Sequence, residues 1–347
     1  MKKQIFILVF LVLASFGIMT KSYGQCVTDP LHPAAGVSYK YKVNVPNTGG
    51  YNGNSMYNWY VTTDPDVLTG AVVPNNNVIL KVTAPEIYGK VLGTETGINQ
   101  KEIDITWTPK SIKDALTKPY FLVVRYGENN GTCTAMNMKA WKITPKNNFL
   151  LTVSIVDNLG AAFPGSYCAA DVTAALYDVP TDKITYKYGQ NTFYSKVVPT
   201  GMTGNWTPSV RIPTLLNDQK INELSWSTTI GGTYTPFPSA AGTSGGDFTA
   251  AIDAAAAIAD GSTPIFIKLV IDNNTFQANL ADQNIIIGVD GDYGSAGNLL
   301  KDIVGTTCLD EVAYGKSVTQ TIKVRPTVTD NTDNLPVPTD FIIEVHN

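Results

Sequence analysis

One stretch of the sequence has the spacing of a catalytic serine motif. Gly242-Thr-Ser244-Gly-Gly246 matches the Gly-x-Ser-x-Gly pattern, in which a nucleophilic serine lies at a sharp turn between a strand and a helix. The preceding Tyr234–Ser239 does not have the pattern of a strand. A catalytic triad also needs a histidine, and His346 in the tail is the only one downstream. We therefore expect a loop and no enzyme, with a serine hydrolase using Ser244 as the alternative.

A pair of aspartates is the candidate metal site. Asp290 and Asp292, in Asp-Gly-Asp-Tyr-Gly, are spaced so that two carboxylates can converge on one hard cation such as calcium. The distal bidentate glutamate of a calcium loop is absent at the expected spacing. His32 and His346 are far apart, and no His/Cys cluster has zinc spacing. Calcium at Asp290 and Asp292 is thus the one cofactor considered, and an ordinary Asp/Gly turn is the alternative.

The elements that must position these residues are predicted to be β-strands. Polar and apolar residues alternate at period two, and Gly, Asn, Asp and Pro separate the runs at intervals of about ten residues, which is typical of a β-sandwich. The main predicted strands are Val37–Val45, Met56–Thr63, Val78–Thr83, Glu102–Thr108, Tyr120–Tyr126, Met136–Thr144, Phe149–Val156, Glu223–Thr229, Pro264–Ile271 and Asn284–Val289.

Several landmarks recur in the same order and indicate an internal repeat. They are a cysteine, a Tyr-Lys-Tyr strand, a strand with a central tryptophan, a second cysteine and Lys-x-x-Pro. The tryptophans are Trp59 and Trp226, and both are predicted to lie in a core. We expect an all-β protein of two tandem immunoglobulin-like sandwiches, residues 25–147 and 148–347, with the boundary at Pro145–Asn148.

Four cysteines in an exported chain indicate disulfides. Three pairings are possible, and the repeat favours Cys26–Cys133 and Cys168–Cys308. Each bond would close a loop of over a hundred residues, which is worth about 4–5 kcal/mol in the chain-entropy model. Free, buried thiols are the alternative.

Two predicted helices interrupt the strands. Asp247–Ala259 is expected to be a helical insertion capped by Asp247 and ended by Gly261, and Ser111–Lys118 a short helix with Ser111 as its N-cap. After the Pro/Asp/Asn-rich linker Thr327–Thr339, a final strand reads Phe341-Ile342-Ile343-Glu-Val345. It either folds back or forms an open edge, and we predict that its apolar residues bind a partner.

The N-terminus has the pattern of a secretory signal peptide. Lys2 and Lys3 precede the apolar run Ile5–Met19, and cleavage is expected after Gly24. The alternative is an uncleaved anchor, but the run is short for a span of about 20 residues. Gln25 before Cys26 argues against lipidation. We expect an exported chain, at the cell surface or in the periplasm and associated with the outer membrane, with no transmembrane segment after cleavage.

The net charge argues against two classes of partner. Residues 1–24 contain three lysines and no acids, so cleavage changes the net charge from −4 to −7. Nucleic acid and anionic membrane surfaces attract basic patches, and neither is expected as a partner.

The tyrosines offer sugar-stacking surfaces, although tyrosine on a strand more often covers a half-buried face. They are Tyr51, Tyr57, Tyr60, Tyr120, Tyr126, Tyr186, Tyr188 and Tyr194.

The Tyr-x-Trp-x-Val of the first tryptophan strand resembles the PKD-like and immunoglobulin-like repeats of secreted Bacteroidota surface proteins. Gly-Thr-Cys133 near the last strands and the Gln25-Cys26 mature start share this resemblance. Within that group the chain is similar to accessory components of gliding-motility adhesin and type IX secretion systems. The resemblance implies a non-enzymatic component of an envelope or surface assembly, whose partner is a large adhesin or an outer-membrane protein. A secreted carbohydrate-binding protein is the alternative. The chain departs from type IX cargo because Phe341–Asn347 is one strand and not a sorting domain.

Overall fold

The computed structural model describes residues 28–44, 55–68, 78–81, 102–129, 134–202, 204–251, 263–276, 281–294, 299–304 and 312–326. The described elements, in chain order, are β1 (Ser38–Lys42), β2 (Ser55–Thr62), β3 (Val78–Lys81), β4 (Glu102–Trp107), α1 (Pro109–Ala115), β5 (Tyr120–Asn129), β6 (Thr134–Ile143), β7 (Leu150–Val156), β8 (Ser166–Tyr167), β9 (Val172–Asp178), β10 (Lys183–Thr200), β11 (Trp206–Ile212), β12 (Lys220–Ser227), β13 (Thr235–Pro236), β14 (Gly246–Thr249), β15 (Ile265–Asn274), β16 (Gln283–Tyr293), β17 (Leu300–Lys301) and β18 (Lys316–Ile322).

The first six strands form two antiparallel sheets, called here the first sandwich. Their orders are β1-β4-β3 and β2-β5-β6. In β4, every second residue is buried, as expected for a strand with one face on a core. Trp107 and Tyr120 are buried there with their rings edge to face at 5.7 Å between centroids. Trp59 is also buried and stacks on Trp141.

The remaining strands form a larger pair of sheets, called here the second sandwich. One sheet has the order β13-β12-β15-β10-β7, with β9 on β10, and the other has the order β14-β11-β16-β18-β8, with β17 on β16. β8 is parallel to β18, and the other pairings are antiparallel. Phe149, Phe193, Trp206 and Trp226 share its core. The prediction of an all-β fold of tandem sandwiches is confirmed.

The two sandwiches share a strand order, but the tryptophans do not correspond as the repeat suggested. Order β1-β4-β3 matches β10-β15-β12, and β2-β5-β6 matches β11-β16-β18. Trp59 on β2 therefore corresponds to Trp206 on β11, the strand that crosses to the opposite sheet. Trp226 lies on β12, the counterpart of β3. The landmark order is off by one strand because Trp206 and Trp226 lie on the consecutive strands β11 and β12.

Both helix predictions need correction. Asp247–Thr249 belong to β14, where Phe248 faces the core and pairs with Val210 of β11. Burial of Phe248 and the pairing of β14 with the edge of β11 outweigh the local helix-capping pattern. Residues 252–259 of the predicted helix lie outside the described residues. The short helix begins at Pro109, and its N-cap is Thr108, whose hydroxyl accepts the Ser111 N–H. Ser111 is buried inside the helix and donates its hydroxyl to the Thr108 carbonyl.

The segment between the two sandwiches is held by side chains. Asn147 donates its amide to the carbonyl of Lys301 at 2.8 Å and accepts the Phe149 N–H at 3.0 Å. Gly201 lies against Asn148 with φ +74°, and an added Cβ would come within 1.8 Å of the Asn148 carbonyl oxygen. This close approach requires glycine at position 201. The boundary at Pro145–Asn148 stays a prediction.

Candidate functional site

The predicted metal pair lies in a cluster that also contains a lysine and a third carboxyl. Asp290 and Asp292 are on β16, and β17 pairs Lys301 directly with Asp292. Lys301 Nζ lies 2.6 Å from Asp292 Oδ1 and 3.4 Å from Asp290 Oδ2. Asp302 follows Lys301 in the chain. The Gly291 N–H donates to Asp302 Oδ1 at 3.0 Å and to Asp290 Oδ1 at 2.8 Å. The sheet therefore brings four ionisable groups to one place.

Burial controls the protonation of this cluster. Asp290 is 2% exposed and Asp302 1% exposed. Burial, followed by the hydrogen bond and negative charge of Asp290, raises the pKa of Asp302 to about 8. Burial opposes the charge of Lys301, but the ion pairs with Asp292 and Asp290 raise its pKa above the ordinary value. At neutral pH Asp302 is therefore mostly protonated, and Lys301 carries its charge.

Glycine is required between the two aspartates. An added Cβ at Gly291 would lie 2.7 Å from the Phe149 ring and 2.9 Å from the Trp206 ring. The aromatic core thus lies directly under the cluster and keeps water from its inner side. The Asp-Gly-Asp spacing has a packing reason that does not involve a ligand.

Calcium at Asp290 and Asp292 stays a prediction. Among the described residues, no group of three or more His, Cys, Asp or Glu side chains could hold a metal ion. An ion at the aspartates would have to displace Lys301, which already lies against both carboxylates. A calcium titration followed by the melting temperature tests the prediction, because an ion bound only to the folded state raises it.

The serine motif does not form a nucleophile elbow. Gly246 opens strand β14 and not a helix. The Ser244 carbonyl accepts the Leu215 N–H at 2.6 Å, and an added Cβ at Gly245 would meet the Pro213 carbonyl at 2.7 Å. The glycines therefore allow close backbone packing. His346 lies outside the described residues, and His32 is next to Asp29, with Nδ1 and Oδ1 3.1 Å apart.

An exposed hairpin is the largest feature that the sequence did not predict. β9 and the first part of β10, residues 172–187, pair with each other and with no other described strand. Tyr177 and Ile184 are directly opposite each other, as are Ala175 and Tyr186. Opposed residues lie on one face of a ladder. Tyr177, Ile184 and Tyr186 are 58%, 54% and 45% exposed, so this face is apolar and uncovered by the described residues.

The described chain ends beside this hairpin. Arg325 stacks on the ring of Tyr188 at 4.3 Å and donates to the Ala170 carbonyl. Tyr188 follows Tyr186 at period two on β10 and is buried. Arg325, in the last described segment, therefore lies at the base of the apolar face.

An open cleft lies on the first sandwich. It is lined by Tyr126, Trp141 and the lysines Lys42 and Lys139, with Asn44 and Asn137 nearby. Trp141 stacks on buried Trp59 at 6.1 Å and 9° between planes, which holds its ring in place. A ring beside amides and ammonium groups is suited to stacking against a polar, planar or sugar-like ligand.

Most of the singled-out tyrosines cover strands. Tyr57, Tyr60, Tyr120 and Tyr188 are buried, Tyr126 and Tyr194 are half-buried and Tyr186 is exposed, whereas Tyr51 lies outside the described residues. Tyr186, in the second Tyr-Lys-Tyr, is exposed because its part of β10 pairs only with β9 among the described strands.

Several predicted sites fall outside the described residues. These are the signal peptide, Cys26, Cys133, Cys308 and the strand residues Phe341, Ile342, Ile343 and Val345. Cys168 is exposed and is not joined to another described cysteine. Both disulfide pairings stay predictions. Within the described part of the chain, no helix is both long and apolar enough to cross a membrane.

Comparison with known proteins gives only remote structural similarity. No protein-family model matches the sequence, and no curated protein matches it. The major pilin subunit of Bacillus cereus is 10% identical, with a TM-score of 0.31, over 78% of this chain and 69% of the pilin. The C-terminal domain of the antigen I/II-family protein AspA of Streptococcus pyogenes is 10% identical, with a TM-score of 0.26, over 87% of this chain and 95% of that domain. The major pilin SpaD of Corynebacterium diphtheriae is 11% identical, with a TM-score of 0.28, over 87% and 64%.

Proposed function

We propose that the protein is a non-enzymatic structural component of a cell-envelope or cell-surface assembly, as an adhesin or a gliding-motility accessory protein. The observation that carries the proposal is the exposed apolar face of β9 and β10. Soluble monomers seldom leave contiguous apolar surface uncovered, and such surface is typical of interaction sites. The proposed partners are envelope or surface proteins, including a large adhesin or an outer-membrane protein. The chain acts after export, at the surface or in the periplasm.

The first experiment is recovery of the tagged full-length chain from its native envelope after mild crosslinking. Mass spectrometry then identifies what is recovered with it. We expect wild type to recover a surface protein in stoichiometric amount. The double variant Tyr177→Ser/Ile184→Ser, which keeps the buried residues intact, should recover much less of that protein. A matched exposed variant, Leu159→Ser, lies outside the β9–β10 hairpin and should behave as wild type. Recovery of the chain alone, in every case, would refute the assembly role.

The cleft at Trp141 favours a second candidate, a carbohydrate-binding protein. Affinity electrophoresis through envelope and plant polysaccharides, with and without calcium, tests it. Retardation that Trp141→Ala abolishes would support sugar binding, because stacking on the ring is lost. Equal migration of both proteins in every polysaccharide would rule it out.

A further inference from the structure

The hairpin offers both an apolar face and a free strand edge. β9 pairs with β10 along one side, and its other side pairs with no described strand. Isolated two-stranded hairpins are only marginally stable in water, so a third strand would stabilise this one. A strand added to β9 would gain backbone hydrogen bonds from the edge and side-chain contacts from Ala175 and Tyr177.

The hairpin is well ordered for such an addition. The Tyr177 hydroxyl donates to Asp182 at 2.6 Å, and the Thr181 hydroxyl donates to Asp178 at 2.6 Å. Both bonds join β9 to the turn between the strands. The exposed edge is therefore a preformed template, which reduces the entropy lost on binding.

The end of this chain has the composition of a complementary strand. In Phe341-Ile-Ile-Glu-Val345, the residues at positions 341, 343 and 345 lie on one side of a strand. Placed beside β9, they would extend the apolar face of Tyr177 and Ala175. Ile342 and Glu344 would then lie on the other face. That face also carries Leu176 of β9 and the lysines Lys183 and Lys187 of β10. Apolar residues meet apolar residues, and the glutamate lies on the side of the lysines.

The linker is long enough to reach a second copy of the chain. Fourteen residues, 327–340, separate Pro326 from the strand, with two prolines, three aspartates, no basic residue and no glycine. At about 3.1 Å per residue, fourteen residues can span up to about 43 Å. The seven-residue β9 is about 23 Å long at about 3.3 Å per residue. Because Pro326 lies near the base of the hairpin, this span can carry the strand past the end of its own β9 to a neighbouring copy.

We infer that Phe341–Val345 of one copy adds to the free edge of β9 in a second copy of this chain. Donor and acceptor are different surfaces, so the contact is head to tail and can repeat. The inference rests on the proposed assembly role and names one partner within it, the chain itself.

Light scattering during size exclusion, over a range of concentrations, tests the inference with the exported full chain. Wild type should form concentration-dependent oligomers. Deletion of residues 341–347 and the double variant Tyr177→Ser/Ile184→Ser should each be monomeric, and Leu159→Ser should associate as wild type does. Unchanged melting temperatures show that the variants are folded. A wild type that is monomeric at every concentration would overturn the inference.

Mixing the two monomeric variants gives the decisive result. The deletion variant keeps an intact acceptor, and the hairpin variant keeps an intact donor, so a one-to-one dimer should form that neither variant forms alone. No dimer on mixing would overturn the inference. A second result would also overturn it. If wild type is monomeric and its residues 341–345 are protected from hydrogen exchange, but lose that protection in the hairpin variant, the strand binds its own β9.

Failure here is distinguishable from failure of the proposed function. If the chain does not self-associate but still recovers another surface protein from the envelope, the assembly role stands and the second copy is the wrong partner. If it self-associates and recovers only itself, the strand-to-hairpin contact stands and the wider assembly does not.

Discussion

Lys301 and Asp292 form a 2.6 Å ion pair across the β16–β17 ladder. The same ammonium lies 3.4 Å from the buried Asp290 carboxyl, so one lysine contacts both aspartates that the sequence marks as metal ligands. The stability of this part of the fold should therefore depend on pH and on Lys301.

Asp302→Asn should flatten the pH dependence of stability. The pKa of Asp302 is about 8 in the folded protein and about 4 in an unfolded chain, so the folded state binds more protons between these values. The free energy of unfolding of wild type therefore falls as pH rises from about 4 to about 8. Asparagine cannot ionise, so urea titrations across this range should show a smaller decline. Asp282→Asn is the control: Lys323 lowers the pKa of exposed Asp282, so its effect lies at lower pH. Identical profiles for wild type and Asp302→Asn would contradict this prediction.

Lys301→Met should destabilise the second sandwich by about 1–3 kcal/mol, because buried Asp290 loses its counter-charge. Lys323→Met is the matched control. Lys323 also forms a 2.7 Å ion pair, with Asp282, but both side chains are exposed, and such pairs contribute about 0–1 kcal/mol. Chemical denaturation of the two variants measures the difference. Equal losses would show that burial of Asp290 does not matter.

Gly201→Ala should be far more destabilising than Gly231→Ala. Both glycines have positive φ, +74° and +72°. An alanine Cβ at 201 would overlap the Asn148 carbonyl, whereas nothing lies within 4 Å of a Cβ at 231. The second change should cost about 1 kcal/mol, the ordinary backbone penalty, and the first should cost several times more or prevent folding. Similar melting temperatures for both variants would disprove the close contact at Asn148.

The cysteines should form two bonds in the exported protein, Cys26–Cys133 and Cys168–Cys308. Peptide mapping without reduction should recover these two cross-linked pairs. Cys168→Ser and Cys308→Ser should destabilise equally, and the double variant no more than either single variant, because each removes the same bond. Additive losses, or a different pair in the map, would reject the pairing.

Sequence alone determined the fold class and the positions of many of the strands. Alternation is a local property, since one face of each strand contacts a core, and β1, β2, β4 and β7 lie where the pattern predicts them. It also singled out Asp290 and Asp292. It missed Lys301 and Asp302, because their proximity depends on the pairing of β17 with β16.

Only the tertiary structure decided which residues meet. Sheet order made Trp206 the counterpart of Trp59, and burial of Phe248 placed the predicted start of a helix in an edge strand. It also left Tyr186 exposed while its repeat partner Tyr39 is half-buried. Cross-strand partners and uncovered faces depend on contacts between residues far apart in the chain, which a local pattern does not contain.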